Sequence, residues 1–175
     1  MTPRDRIKEL RRVKASELIP NEKNWRRHPN TQRLALTGIL EEIGYADALL
    51  ARETEDGDLV LVDGHLRRSV SPDAEVPVLV LDITEAEADL MLTTLDPLAS
   101  MAETDNERLS ALLDSIEVDN ERVSDLLESI RDGVGINQSG FDSYSNLSVP
   151  APSDEFESFT ELATSNRCPK CAYEW

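Results

Sequence analysis

Cysteine and histidine are scarce in this chain, with two of each. Cys168 and Cys171 are too few and too close together for a disulfide framework, so a reducing compartment is expected. His28 and His65 lie far from that pair in sequence, which leaves Cys168-x-x-Cys171 as half of a tetrahedral zinc site. A zinc ion there would need a second chain or another protein to complete its shell. Long apolar runs are missing as well. None approaches the roughly 18 residues that a membrane span needs, and Met1-Thr-Pro-Arg-Asp-Arg6 lacks the apolar stretch of a signal peptide. These absences lead us to expect a cytoplasmic protein with no membrane partner.

Charge is plentiful but uneven. The net charge is −17 over 175 residues, yet residues 1–36 hold ten Lys or Arg against four Asp or Glu. That basic head of +6 leaves −23 on the remainder. A cationic head suggests an anionic partner, while the acidic body argues against wrapping DNA over the whole surface. Any nucleic-acid contact would be local.

Residues 58–70 are the most informative stretch. Leu59 to Val62 is a short branched apolar run and reads as a buried strand. Asp63-Gly64 ends it, and His65-Leu66-Arg67-Arg68 opens a short helix before Ser71-Pro72. A glycine at such a junction lets backbone approach a ligand closely. The helix N-terminus and the two arginines then favour an anion, so the turn has the makings of a phosphate pocket. A plain tight turn with solvated arginines is the alternative.

The elements around it follow from pattern. Ile7–Val13 reads as an opening strand, with a helix capped by Thr2-Pro3 as the competing assignment. Thr31 is placed to cap a helix whose stripe is Leu34, Ile39, Leu40 and Ile43 and which Gly44 ends. Asp56-Gly57 signals a hairpin between Ala48–Glu53 and Asp58–Val62. Val76–Leu81 is a further strand, and Thr84–Leu95 a helix stopped by Pro97. An internal repeat follows: Asp105–Ile116 is echoed by Asp119–Ile130. Thr104 with Glu107 would box the first copy, and the second would start at Asp119. Two short helices packed as a hairpin are the simplest outcome; a dimer or partner surface over residues 104–132 is the sharper one. Residues 133–166 read as a flexible acidic linker with Phe141, Phe156 and Phe159 as docking points, and 167–175 as a small cysteine-bearing tail.

This order resembles the ParB N-terminal domain, the module shared with sulfiredoxin and often labelled a ParB-like nuclease domain. The likeness rests on Pro20-Asn21 leading to Arg26-Arg27, a helix ending in Gly44, the Gly64-x-x-Arg67 turn and the Val76-Pro77-Val78 strand. It covers roughly residues 7–100. It implies an α/β (α+β) mixed-sheet domain over 1–100, extended by the paired helices of 101–132. In ParB proteins the equivalent turn, Gly-Glu-Arg-Arg, is implicated in binding the triphosphate of CTP, and the Arg26–Arg27 segment corresponds to one lining the nucleotide site. In sulfiredoxins the turn carries a catalytic cysteine; here His65 stands in that place, so thiolate chemistry is excluded. The family's Gly-x-x-Gln-Pro is Gly44-Tyr-Ala-Asp-Ala48 here, and its magnesium-holding Glu-Asn-x-x-Arg is Leu95-Asp96-Pro97-Leu98-Ala99. Residues 105–132 are too short and acidic for a recognition helix, so a chromosome-segregation ParB is not the expected identity.

The resemblance therefore implies binding of a nucleotide or a nucleic-acid phosphate in a DNA-related process, through Gly64, His65, Arg67 and Arg68 with Arg26 and Arg27 assisting. CTP or ATP with magnesium are the expected ligands. Trp25 among arginines suits stacking on a base, or anchors the core instead. A metal-dependent DNase or a nucleotide hydrolase or phosphotransferase would use Asp63, His65 and Asp96, with Asp82 near by. A third reading is a non-catalytic adaptor that recruits a partner through the paired helices and tail. Domains of this kind with abbreviated tails resemble phage and mobile-element proteins.

Overall fold

A computed structural model describes residues 3–133. The Phe-bearing acidic segment and the Cys168–Cys171 tail lie outside the described residues.

Four strands form one mixed sheet in the order β1-β4-β2-β3. They are β1 Ile7–Lys14, β2 Leu49–Glu53, β3 Leu59–Asp63 and β4 Glu75–Leu81. β1 runs antiparallel to β4, β4 parallel to β2, and β2 antiparallel to β3. The chain has the mixed α/β class expected of it, with Ile7–Lys14 as a strand. The β2–β3 hairpin turns at Gly57, whose φ of +87° favours glycine, and the Thr54 amide donates to the Asp58 carbonyl at 2.8 Å.

The core is apolar and tight. Ala15, Leu18, Leu49, Ala51, Leu59, Leu61, Val76, Val78 and Val80 form one buried cluster, with Val13, Tyr45 and Ala74 packed against it. Among the described residues no polar or charged side chain is buried with them. β4 is central and paired on both sides, which is why Glu75–Leu81 is almost uniformly apolar. Ile19 adds a single parallel bridge outside β3, giving its amide to Leu59 and taking that of Leu61 at 2.8 and 2.9 Å. That bridge pins the segment after Pro20 to the hairpin edge.

Among the described residues five α-helices accompany the sheet: α1 Asn30–Glu42, α2 His65–Val70, α3 Glu85–Ser100, α4 Asn106–Asp114 and α5 Glu121–Gly133. α1 ends at Gly44, which takes φ +81° and donates to the Leu40 carbonyl at 3.0 Å. α3 opens with a capping box between Thr84 and Glu87 and lies against β3.

Five local expectations are corrected. Thr31 does not cap α1, which starts a residue earlier behind Pro29 with no side-chain cap. Thr104 does not box α4; the nearer acceptor, Asp105, takes the Arg108 amide at 3.1 Å. Likewise Asn120, not Asp119, receives the first amides of α5. Pro97 does not stop α3. Proline removes one N–H and crowds the preceding turn, at roughly 3 kcal/mol in a helix interior. Here only one further turn follows, on an exposed flank where Leu98 is 63% accessible. The repeat helices also pair less with each other than expected: α5 lies chiefly against α1, and α4 makes a smaller contact with α5.

Candidate functional site

The β3–α2 junction is held by two requirements at Gly64. Its φ is +96°, and a Cβ there would meet Leu49 Cγ at 2.6 Å. The glycine is therefore demanded by packing and backbone conformation before any ligand is considered. α2 has six residues and no side-chain cap at its start. Such a short helix has little macrodipole, so recognition at this turn has to come from side chains.

Arg67 and Arg68 point in different directions. Arg68 Nε donates to the Leu18 carbonyl at 2.8 Å, tying α2 to the turn after β1. Arg67 is held by two carboxylates, with Nη1 2.6 Å from Asp47 Oδ2 and Nη2 2.7 Å from Asp63 Oδ2. Asp63 thus serves Arg67 and does not cap α2. His65 is tied down too: its Nε2 accepts the Asn21 amide at 3.1 Å. An acceptor nitrogen carries no proton, so the imidazole is neutral here with its hydrogen on Nδ1. Burial pushes the His65 pKa down; the Asp63 charge opposes this, and His28 and Arg68 reinforce it.

The 21–29 segment forms the facing wall. Trp25 Nε1 donates to the Leu92 carbonyl at 3.3 Å, and Arg26 lies 5.7 Å from the Trp25 ring centroid. Arg26 also pairs with Asp96 on α3. Trp25 is 58% exposed, so the core-anchor alternative fails. His28 Nδ1 meets Gln32 Oε1 at 3.0 Å. Arg27 makes no hydrogen bond or ion pair with any described residue.

Between these walls opens a cleft of about 810 Å³. Its floor is apolar, from Leu36, Ile39 and Leu40 of α1, with Tyr45 and, from α5, Leu126. Its charged groups are Arg26, Arg27 and Arg67 against Asp47, Asp63 and Asp96, a formal balance of zero. The cleft brings together Arg26, Arg27, Asp63, Gly64, His65, Arg67 and Asp96 from the sequence reading. It leaves out Trp25, which stands under Arg26, and Arg68, which serves the fold. Asp82 is also outside, at the far end of β4, where its carbonyl accepts from Arg6 Nε at 2.6 Å. The three expected catalytic groups share the cleft, but each is engaged elsewhere: Asp63 by Arg67, Asp96 by Arg26, and His65 by Asn21. Among the described residues, no group of three or more His, Cys, Asp or Glu is arranged to hold a metal ion.

Sequence reading missed Asp47, Asn21, Gln32, Tyr45 and Leu126. Asp47 had a signal, an acid three residues after the helix-ending Gly44; the others depend on long-range placement. Among the described residues, no helix is long and apolar enough to cross a membrane.

No protein-family model matches this chain, and no curated protein does. Among solved structures it is similar to the C-terminally truncated chromosome-partitioning protein ParB from Caulobacter crescentus, crystallised with CTP-gamma-S. The two share 13% identity over 81% of this chain and 93% of that one, with a TM-score of 0.47. What that protein binds belongs to that protein.

Proposed function

We propose that the chain is a ParB-like nucleotide-binding protein that takes the phosphates of its ligand between Arg27, Arg26 and Arg67. The observation that carries this reading is the convergence of three arginines on an apolar-floored cleft of about 810 Å³. That volume is within the ordinary range for small-molecule sites, roughly 300–1,000 Å³. The apolar α1 wall suits a base, and guanidinium groups suit phosphate oxygens. The Gly64–Arg67 turn and the Arg26–Arg27 segment, which carry the sequence resemblance, are the parts that meet in the cleft.

Charge balance refines the ligand. Phosphate entering the cleft competes with Asp47, Asp63 and Asp96 for the same arginines. Magnesium accompanying a nucleotide usually needs only one or two protein carboxylates; Asp63 and Asp96 are the residues that would hold it. CTP or ATP with magnesium, in a cytoplasmic DNA-related process of the phage or mobile-element kind, is the form of ligand and setting we favour.

Thermal melting tests this. Arg27→Ala is the control of choice, because among the described residues Arg27 has no hydrogen-bond or ion-pair partner while Arg67 has two. CTP, ATP or GTP with magnesium should raise the midpoint by several degrees, since a ligand at about a hundred times its Kd contributes roughly 2.7 kcal/mol. The variant should melt like wild type without ligand and lose the shift. No shift in wild type with any of the three would sink the reading.

A further inference from the structure

β1 is an outer strand: β4 lies on one side of it, and no described strand pairs with its other edge. It carries Lys8, Arg11, Arg12 and Lys14 against a single acid, Glu9. Lys8 and Arg11 share Glu53, but the side chains of Arg12 and Lys14 have no hydrogen-bond or ion-pair partner among the described residues. Beside these cations Ile7 and Leu10 are 50% and 59% exposed. Leu10, Arg12 and Lys14 lie on one face of the sheet, opposite Leu79, Pro77 and Glu75, while Glu9, Arg11 and Val13 lie on the other. Lysines blunt a strand edge against indiscriminate pairing. Unmatched cations alternating with open apolar side chains also make a surface that an acidic, apolar strand would fit.

One segment of this chain has that chemistry. Glu155-Phe-Glu-Ser-Phe-Thr-Glu-Leu162 lies outside the described residues and is read from the sequence. It holds acids and phenylalanines, no base, and no glycine or proline to break an extended run. Set antiparallel to β1, it matches the strand position by position. Glu155 falls opposite Lys14, Glu157 opposite Arg12 and Glu161 opposite Lys8. Phe156 falls opposite Val13, Phe159 opposite Leu10 and Leu162 opposite Ile7. Ser158 meets Arg11 and Thr160 meets Glu9, so no like charges face each other. The bulge between Ile7 and Glu9 ends the regular part of β1, which holds the pairs from Glu9 to Lys14. A slip of one residue destroys the match: in one direction Glu155 would face Val13, in the other Glu161 would face Glu9.

We propose that residues 155–162 add to the free edge of β1 in their own molecule as a further, antiparallel strand. Backbone pairing supplies the attachment, and the alternating side chains set the register. The connection is long enough. Residues 134–154, between the end of α5 and the segment, stretch to roughly 70 Å, against a width of roughly 30–40 Å for a domain of this size. The tether also favours the chain's own segment over that of another molecule through effective concentration. Once seated, the segment neutralises Arg12 and Lys14, so an anionic partner of the basic strand has to displace it first.

The test is hydrogen exchange at residues 7–14 in the full chain. Amides on the outer edge of β1 should exchange at least about tenfold more slowly in wild type than in Phe156→Asp with Phe159→Asp, at any protein concentration. Arg12→Glu should lose the same protection, because it sets like charge against Glu157. Adding Glu157→Arg should restore the protection, whereas adding Glu155→Arg should not, since it sets like charge against Lys14. Equal exchange in wild type and the Phe156→Asp, Phe159→Asp variant overturns the proposal. Restoration by Glu155→Arg as complete as by Glu157→Arg overturns it by removing the register. Protection that grows with protein concentration overturns it as well, because the strand would then come from another molecule.

Discussion

Leu49 and Gly64 touch, yet they belong to regions governed by different physics. On the sheet side Leu49 joins Leu61, Val76, Val78 and Val80, all completely buried, with no polar side chain among them. On the cleft side charged groups stand beside an apolar floor, and most are matched in exchangeable pairs. Asp47, the partner of Arg67, is 81% exposed. With Asp47 open to water and Arg67 only 17% exposed, the pair is worth about 1 kcal/mol, so another anion can take the place of Asp47 at little cost. A core contact cannot be traded that way. The comparison shows where this chain keeps its stability and where it keeps its capacity to exchange one partner for another.

The largest effects should come from the sheet side of the boundary. Leu49→Ala should destabilise by about 2–5 kcal/mol in urea titration, through lost burial and the cavity left behind. A loss below about 1 kcal/mol would break the distinction. Gly64→Ala should cost about 2–4 kcal/mol, from the positive φ and the 2.6 Å approach to Leu49 Cγ. Combining the two should cost less than their sum, because trimming Leu49 removes the atom that the new methyl strikes. Strict additivity would mean that backbone strain alone sets the glycine requirement.

Across the boundary the expected effects shrink. Asp47→Asn should change stability by no more than about 1 kcal/mol while tightening nucleotide binding up to roughly fivefold, since it removes a competitor for Arg67. Titration calorimetry would show this, and weaker binding would mean that Asp47 orients Arg67 instead of competing with the ligand. Two groups sharpen the comparison through pH. The His65 pKa is depressed from 6.5 chiefly by burial, so the folded state binds fewer protons than the unfolded chain. Its contribution is complete above that pH and is lost as pH falls through the folded value. Glu87, bonded to Arg6 and Thr84, is lowered from 4.5 to about 2. Its stabilisation is present above the unfolded value and lost as pH drops toward about 2, so Glu87→Gln should flatten the acid limb of the stability curve.

Much of this boundary was legible in the residues. Leu59–Asp63, Asp56-Gly57 and Val76–Leu81 declare strands and a hairpin because branched apolar runs and a turn glycine leave few alternatives. Gly44 ends α1 for the same local reason. The Gly64–Arg67 turn was located, but its glycine was credited to a ligand when Leu49, fifteen residues earlier, already requires it. The pairs Arg67–Asp47, Arg26–Asp96 and His65–Asn21 were not legible, because each joins residues from separate elements and no periodicity marks them. The repeat showed two amphipathic faces. That one of them would settle on α1 depended on Gly38, where a Cβ would crowd Val123 and which in sequence is only a weak point within a helical stripe.

Arginine side-chain resonances offer the most direct test of the cleft. In 15N spectra, titration with CTP or ATP and magnesium should move the Nε–H signals of Arg27, Arg26 and Arg67 together, with a single saturating affinity. Arg12 on β1, outside the cleft, should stay still. Movement of Arg12 with Arg27 and Arg67 unchanged would place the phosphate on the basic strand and contradict the cleft as the site.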